Sequence, residues 1–299
     1  MVFIRRFSTS NYEGRRLLYM EDDFELSPTN KIEETSFING WASIILFICL
    51  NGAYATIGSM KQQKKIKDSV HMVVFSGRAI REILDGVIHP QFPFKNVSEY
   101  SDEFTRNFLS EYLKKPERLK FVYLYFERFV RYIIPESKTK KFPERFGSAL
   151  FESADTLMDQ LVVLKRQVAE QVKTAIASNR HQVITWQPHI DMDNESPPCL
   201  QRIWIRVYPN GDVDIHLDWR SRDAYAAYMV NLVGLIRMLN REVILPNGCT
   251  IVRIIDYCDS LHVYCADLDA AMRVKKVDLR KITINPQLMC REGYQCVYA

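Results

Sequence analysis

The run PPCLQRIWIRVYPNGDVDIHLDWRSRD, Pro197 to Asp223, decides the fold class of this chain. Leu200 to Tyr208 and Asp212 to Trp219 are apolar runs joined through Pro209-Asn210-Gly211. Asn-Gly between such runs is the strongest short-range signal for a β-hairpin. The period then changes. From Asp223 to Leu239, the residues Tyr225, Tyr228, Met229, Leu232, Leu235, Ile236 and Leu239 keep helical spacing. A hairpin that feeds a helix points to an α+β domain.

The same rules extend outward. Cys249 to Ile255 and Leu261 to Cys265 read as two strands, and His181 to Trp186 as another. A polar loop from His189 to Ser196 approaches Pro197. Ser153 to Ser178 is the clearest helix, with Leu157, Leu161, Leu164, Val168, Val172 and Ile176 on one face and Ser153 or Asp155 to cap it. Tyr100 to Leu113 and Leu119 to Ile134 are helical, broken at Lys114-Lys115-Pro116. Val70 to Phe75 is a buried strand, and Lys61 to Ser69 before it reads as a solvated loop. A helix begins near Phe37 and ends near Asn51-Gly52. Residues 1–36 are polar and read as an irregular arm before a single domain over 37–299.

Composition excludes several classes. The chain has 299 residues, 47% hydrophobic and 25% charged, with a formal charge of only +4, which argues against disorder and against a dedicated nucleic-acid binder. Basic runs also lack interleaved aromatic residues at strand spacing. The apolar run Trp41 to Leu50 falls short of the roughly 20 residues a membrane span needs. Glu13 and Glu21 to Asp23 argue against a transit peptide. The seven cysteines are odd in number and form no Cys-x-x-Cys pair, so a reducing compartment, the cytoplasm, is expected. No metal site is expected, because His262 and Cys265 have no second ligand pair at zinc spacing.

Cys199 stands apart from the other thiols. Two prolines stiffen its approach, and antiparallel pairing of the hairpin returns Arg220 towards it. A nucleophilic thiol needs such a positive charge. The alternative is an inert cysteine that opens a strand. Asn231 lies among apolar helix neighbours and must satisfy both amide and carbonyl, which suits a base edge such as uracil N3 and O4, or else plain backbone bonding. His262 and Tyr264 share one face of a strand and could hold a ribose hydroxyl, or form an ordinary half-buried sheet face.

Taken together, Pro198-Cys199, Arg220-Ser221-Arg222-Asp223, Asn231 and His262-Val263-Tyr264 resemble the thymidylate synthase superfamily, which includes the pyrimidine nucleotide hydroxymethylases. Order and spacing both fit. Ser178-Asn179-Arg180 with Val183 to Trp186 resembles the segment before the catalytic loop, and Asp159-Gln160 also fits, so the resemblance spans about residues 144–265. It implies a mixed β-sheet flanked by helices and a homodimer. It also implies folate-dependent one-carbon transfer to C5 of dUMP, with 5,10-methylenetetrahydrofolate as co-substrate. On this resemblance Cys199 is the nucleophile that adds to C6. Arg220 binds the nucleotide phosphate and lowers the thiol pKa, Ser221 meets the phosphate, and Arg180 is donated to it by the partner subunit. Asp223 holds the folate ring, Asn231 reads uracil, and His262 and Tyr264 contact the ribose.

There are departures from the family pattern. Asn179 stands where the family has the first of two arginines, so that phosphate contact is weaker or comes from elsewhere. Glu103 resembles the family's catalytic glutamate in setting, with Glu99 and Glu111 as competitors. No tryptophan lies between Ser98 and Arg180, where the methylating enzymes carry a shielding one. Water admitted there would replace hydride and give a hydroxymethyl product. The expectation is thymidylate synthesis from dUMP, with a dUMP hydroxymethylase next and a non-catalytic nucleotide-binding homologue third.

Overall fold

The computed structural model describes residues 29–59, 62–94, 96–114, 124–134, 157–175 and 178–281. Strand β1 (Thr29–Glu34) leads into helix α1 (Phe37–Asn51), which starts where the Ser36 hydroxyl accepts from the Asn39 N–H and stops at Gly52. Phe37, Trp41, Ile44, Ile45 and Ile48 of α1 are fully buried. No helix among the described residues is long and apolar enough to cross a membrane. Strands β2 (Ala53–Ser59) and β3 (Gln62–Ser76) then form an antiparallel pair.

Two sequence expectations are corrected here. Thr29–Glu34, read as part of an irregular arm, pair in parallel with Val70–Phe75 of β3. The lysine-rich run read as a loop is strand from Gln62 onward. Both segments hide their strand character because the charged side chains find local partners. Lys67 donates to the Cys49 carbonyl at 2.7 Å, and Lys64 and Lys67 each lie 5.0 Å over a tyrosine ring, Tyr264 and Tyr54.

Helices α2 (Arg78–Asp85), α3 (Val97–Asp102), α4 (Arg106–Lys114) and α5 (Tyr125–Val130) follow. The short pair β4 (Tyr132–Ile133) and β5 (Leu157–Met158) precedes α6 (Gln160–Thr174). The cap of α6 is Asp159, whose carboxylate accepts from the Leu161 and Val162 N–H groups; Ser153 and Asp155 lie outside the described residues. Next come β6 (Gln182–Ile184), α7 (Pro188–Asp191), β7 (Leu200–Val207), β8 (Asp212–Trp219) and β9 (Arg222–Asp223). Helix α8 (Tyr228–Leu239) starts later than the spacing predicts, because the Asp223 carboxylate caps a turn by accepting from Tyr225 and Ala226. The two expected strands after it are one, β10 (Thr250–Tyr264), before α9 (Leu268–Ala271).

The eight-stranded sheet runs β1-β3-β10-β8-β7-β6, with β2 on β3 and β9 on β10. It is mixed, since β10 pairs in parallel with β8 and antiparallel with β3. The β7–β8 hairpin forms as the sequence indicates, closed by Gly211 at φ 85° and a Gly211 N–H bond to the Tyr208 carbonyl at 3.0 Å. Gly234 lets α8 approach Phe104, where a Cβ would stand 2.5 Å from the ring. Register shifts fall at Leu200/Arg202 and at Cys258/Leu261, towards the same end of the sheet, and bulges of this kind re-aim side chains.

Candidate active site

The loop that delivers Cys199 is fixed before the cysteine is reached. Asp191 takes two bonds from the Arg128 guanidinium of α5, at 2.9 and 3.1 Å, and one from the Gln187 N–H at 2.7 Å, all buried. The prolines follow, and β7 begins. Across the hairpin, the Arg220 N–H donates to the Cys199 carbonyl at 3.0 Å. The Arg220 side chain then grips the loop. Its Nε donates to the Pro198 carbonyl at 3.0 Å, its Nη2 to the Pro197 carbonyl at 2.7 Å, and the same Nη2 lies 3.8 Å from Cys199 Sγ. The antiparallel return expected from the sequence therefore brings these two side chains together.

Burial pushes the Cys199 thiol up from its ordinary value. The charges of Arg220 and then Arg222, with a hydrogen bond from Tyr125, draw it back down. Tyr125 was not singled out in the sequence, where it is one aromatic of several. Its hydroxyl also accepts from the Leu200 N–H at 3.4 Å, and its ring packs edge-on against Trp219 at 5.9 Å. Arg222 too went unassigned. It is buried and paired with Asp256 of β10 at 2.9 Å.

Asp223, His262 and Tyr264 come together through β9, whose Asp223 sits opposite His262 in the register. The His262 and Tyr264 rings meet edge-on at 5.0 Å, as alternation along a strand requires. His262 Nε2 is buried with no hydrogen-bond partner, and burial holds the ring below its ordinary pKa, opposed by the Asp223 charge. Burial raises the Asp223 carboxyl, opposed by the Ala226 N–H, the His262 charge and the Tyr225 N–H. Asn231 lies one turn into α8, nearly buried, and its side-chain carbonyl accepts from the Tyr100 hydroxyl of α3. Tyr100 was another residue the sequence did not mark.

The remaining expected residues are Ser221, Arg180 and Glu103. Ser221 is half-buried beside Arg220. Arg180 is exposed just before β6, where Trp204 Nε1 donates to the neighbouring Asn179 carbonyl at 2.9 Å. Glu103 ends α3, and its charge acts on the Tyr112 hydroxyl. The most deeply buried carboxylate nearby in sequence is Glu82 of α2, which accepts from Ser36, Phe37, Ile38 and Arg78 and so ties α2 to the start of α1. Among the described residues no group of three or more His, Cys, Asp or Glu side chains is arranged to hold a metal ion.

This arrangement offers a thiol 3.8 Å from one guanidinium, with the charge of a second also drawing its pKa down, and an imidazole and a phenol ring paired on β10. Comparison with known proteins points the same way. A family model described as thymidylate synthase matches residues 102–294. A protein named "Putative thymidylate synthase" from Methanopyrus kandleri is 26% identical over 56% of this chain and 66% of its own length. One of the same name from Methanothermobacter marburgensis is 30% identical over 36% of the chain and 47% of its own length. A third, from Methanothermobacter thermautotrophicus, is 22% identical over 82% of the chain and 98% of its own length. The chain thus spans about two thirds and about half of the first two relatives.

Proposed function

Since the chain belongs to the thymidylate synthase family, we propose that it transfers a one-carbon unit to C5 of dUMP through a covalent adduct at Cys199, giving dTMP. The observation that carries this reading is the Arg220 clamp on Pro197, Pro198 and Cys199 Sγ. It fixes the thiol in direction and places a cation against it, the two needs of a cysteine nucleophile. The Cys199 thiolate adds to C6, which makes C5 nucleophilic. Bound 5,10-methylenetetrahydrofolate supplies the one-carbon unit and, for a methyl product, the hydride.

The other residues take parts that fit their surroundings. The bonds above engage Arg220 Nε and Nη2, which leaves Nη1, with Ser221, to meet the phosphate. The orphaned His262 Nε2 and the Tyr264 hydroxyl meet the ribose. The Tyr100 bond occupies the Asn231 carbonyl, which leaves the amide to donate to the O4 of uracil. Asp223 spends one oxygen on its own turn, and its second oxygen suits the ring donors of a folate. Glu103 is assigned to proton transfer near the base.

A homodimer completes the site. Val74, Ile255, His216 and Trp204 line up in register across four strands, all partly exposed on the sheet face away from the core. Arg180 stands at the Trp204 end of that row and reaches the partner's phosphate site. A second reading, a dUMP hydroxymethylase, is favoured by the lack of tryptophan between Ser98 and Arg180. Incubation with dUMP and methylenetetrahydrofolate, read by mass spectrometry, decides. A methylated base with dihydrofolate supports the first reading. A hydroxymethylated base with tetrahydrofolate supports the second. Turnover undiminished in Cys199→Ala overturns both.

A further inference from the structure

Strand β10 carries one residue too many where it passes β3. Cys258 pairs with His71 and Leu261 with Ser69, so Asp259 and Ser260 together face the single residue Val70. This bulge lies just before His262, which stands in register between Asp68 of β3 and Asp223 of β9. Cross-strand neighbours of this kind share a face of the sheet. The Ser260 hydroxyl donates to the Asp68 carboxylate at 2.9 Å, and the Ser260 carbonyl lies 3.3 Å from His262 Nδ1. A carbonyl can only accept, so this contact is a hydrogen bond only when Nδ1 carries a proton. Burial keeps the ring below its ordinary pKa and so neutral at pH 7, which leaves it one proton to place. Nε2 is then a bare acceptor. It is buried, in a residue only 3% exposed, and has no hydrogen-bond partner among the described residues, Asp223 included.

We propose that Asp68 and Ser260 are positioning residues that hold His262 as its Nδ1–H tautomer, so that Nε2 is reserved for a substrate hydroxyl that donates to it. The inference rests on the nucleotide reading of the site and deepens it. The sugar of dUMP has a single hydroxyl, on C3′, and the hydrogen bond there runs from that hydroxyl to the ring. A buried acceptor left without a donor is costly, so the site discriminates by what the ligand donates as well as by its size. Asp68 acts at one remove. It restrains the bulged residue through the Ser260 hydroxyl, which keeps the Ser260 carbonyl at Nδ1. Tyr264, edge-on to the imidazole at 5.0 Å, packs against the plane so fixed.

The tautomer can be read directly, with neither nucleotide nor folate present. Proton–nitrogen correlation spectra of the imidazole rings separate protonated from bare ring nitrogens. The chain has six histidines, and the set of signals lost in His262→Gln identifies this one. Wild type should show Nδ1 protonated and Nε2 bare. Asp68→Ala and Ser260→Ala should each bring the other tautomer into the spectrum. Asp68→Asn, whose amide carbonyl still accepts from Ser260, should keep the wild-type pattern. The second arm is a binding titration with dUMP and with its 3′-fluoro analogue, in which fluorine takes the place of the hydroxyl and donates nothing. Wild type should prefer dUMP by about tenfold or more, the scale of a buried acceptor left bare, and both alanine variants should narrow that preference severalfold. A wild-type ring protonated at Nε2, alanine variants with an unchanged tautomer, or equal affinity for the two ligands each overturns the proposal. Failure of dUMP to bind at all is distinct from these. It overturns the nucleotide reading, and the ligand part of this proposal with it, whereas the tautomer measured without ligand reports on the ring alone.

Discussion

Arg220→Lys tests whether the Cys199 site works by geometry as well as by charge. The substitution keeps a cation but removes the planar fork that reaches Pro198, Pro197 and the thiol together. A lysine ammonium can satisfy one of these at a time. At least one carbonyl bond to a charged donor is lost, worth about 1.5–3 kcal/mol when buried and about 1 kcal/mol at this half-buried position. The thiol loses its nearest fixed cation, so burial prevails and its pKa rises. The thiolate fraction at neutral pH then falls, and loss of the charged hydrogen bond from Nη1 to the phosphate costs about tenfold or more. The expectation is a loss of at least about tenfold in kcat/KM for dUMP, with a thermal midpoint lower by only about 2–4 °C. The assays are steady-state turnover by mass spectrometry, Cys199 alkylation across pH, and a thermal melt. An unchanged alkylation profile beside a clear drop in the melt would refute the electrostatic reasoning, and Arg220 would then be a loop fastener alone.

Three further outcomes follow from other sites. Glu82→Gln puts an amide where four donors converge, Ser36 Oγ, the Phe37 and Ile38 N–H groups and Arg78 Nε. It should cost about 3 kcal/mol, seen as a thermal midpoint lower by about 6–10 °C; a change below about 2 °C would contradict this. Burial lowers His71 from 6.5 to about 4, so the fold keeps it neutral while the unfolded chain takes up a proton. Stability should therefore fall as pH drops through that window, by up to about 1.4 kcal/mol per pH unit and about 3 kcal/mol in all, and His71→Leu should flatten the slope of urea midpoints against pH. Asn231→Asp replaces the amide donor with an acceptor suited to the exocyclic amine of cytosine, and should move the dCMP-to-dUMP preference by about tenfold or more in a binding titration.

The parts that were legible in the sequence are those in which one residue's neighbours along the chain decide its structure. The hairpin announced itself through alternation and Gly211, and α6 and α8 through helical spacing. Even there the caps moved, because Asp159 and Asp223 outcompeted the helix starts that apolar spacing suggested. Strand β1, strand β2 and the lysine half of β3 were not legible, since the charges of β1 and β3 resemble those of loop residues and the edge strands β1 and β2 need no continuous apolar run. In the site, Cys199 and Arg220 could be paired by counting along a hairpin. No such count connects Tyr125 with Leu200, 75 residues apart, or Tyr100 with Asn231, 131 apart. Arg222 was visible as a letter of the motif, but its partner Asp256 lies 34 residues on, in a strand that reads as ordinary core.

These long-range pairings share a cause in the sheet. Leu200 faces Trp219, Trp219 faces Cys258, and Asp223 faces His262, so the start of β7, the end of β8 and the far part of β10 converge at one end. The register shifts at Leu200/Arg202 and Cys258/Leu261 fall there too, and each turns side chains away from strict alternation. At that end Arg220 reaches the Cys199 thiol at 3.8 Å. A site built this way needs no large charge on the protein as a whole, which carries only +4. It needs a few guanidinium groups whose positions were settled when the sheet folded, so that little reorganisation remains when an anion arrives.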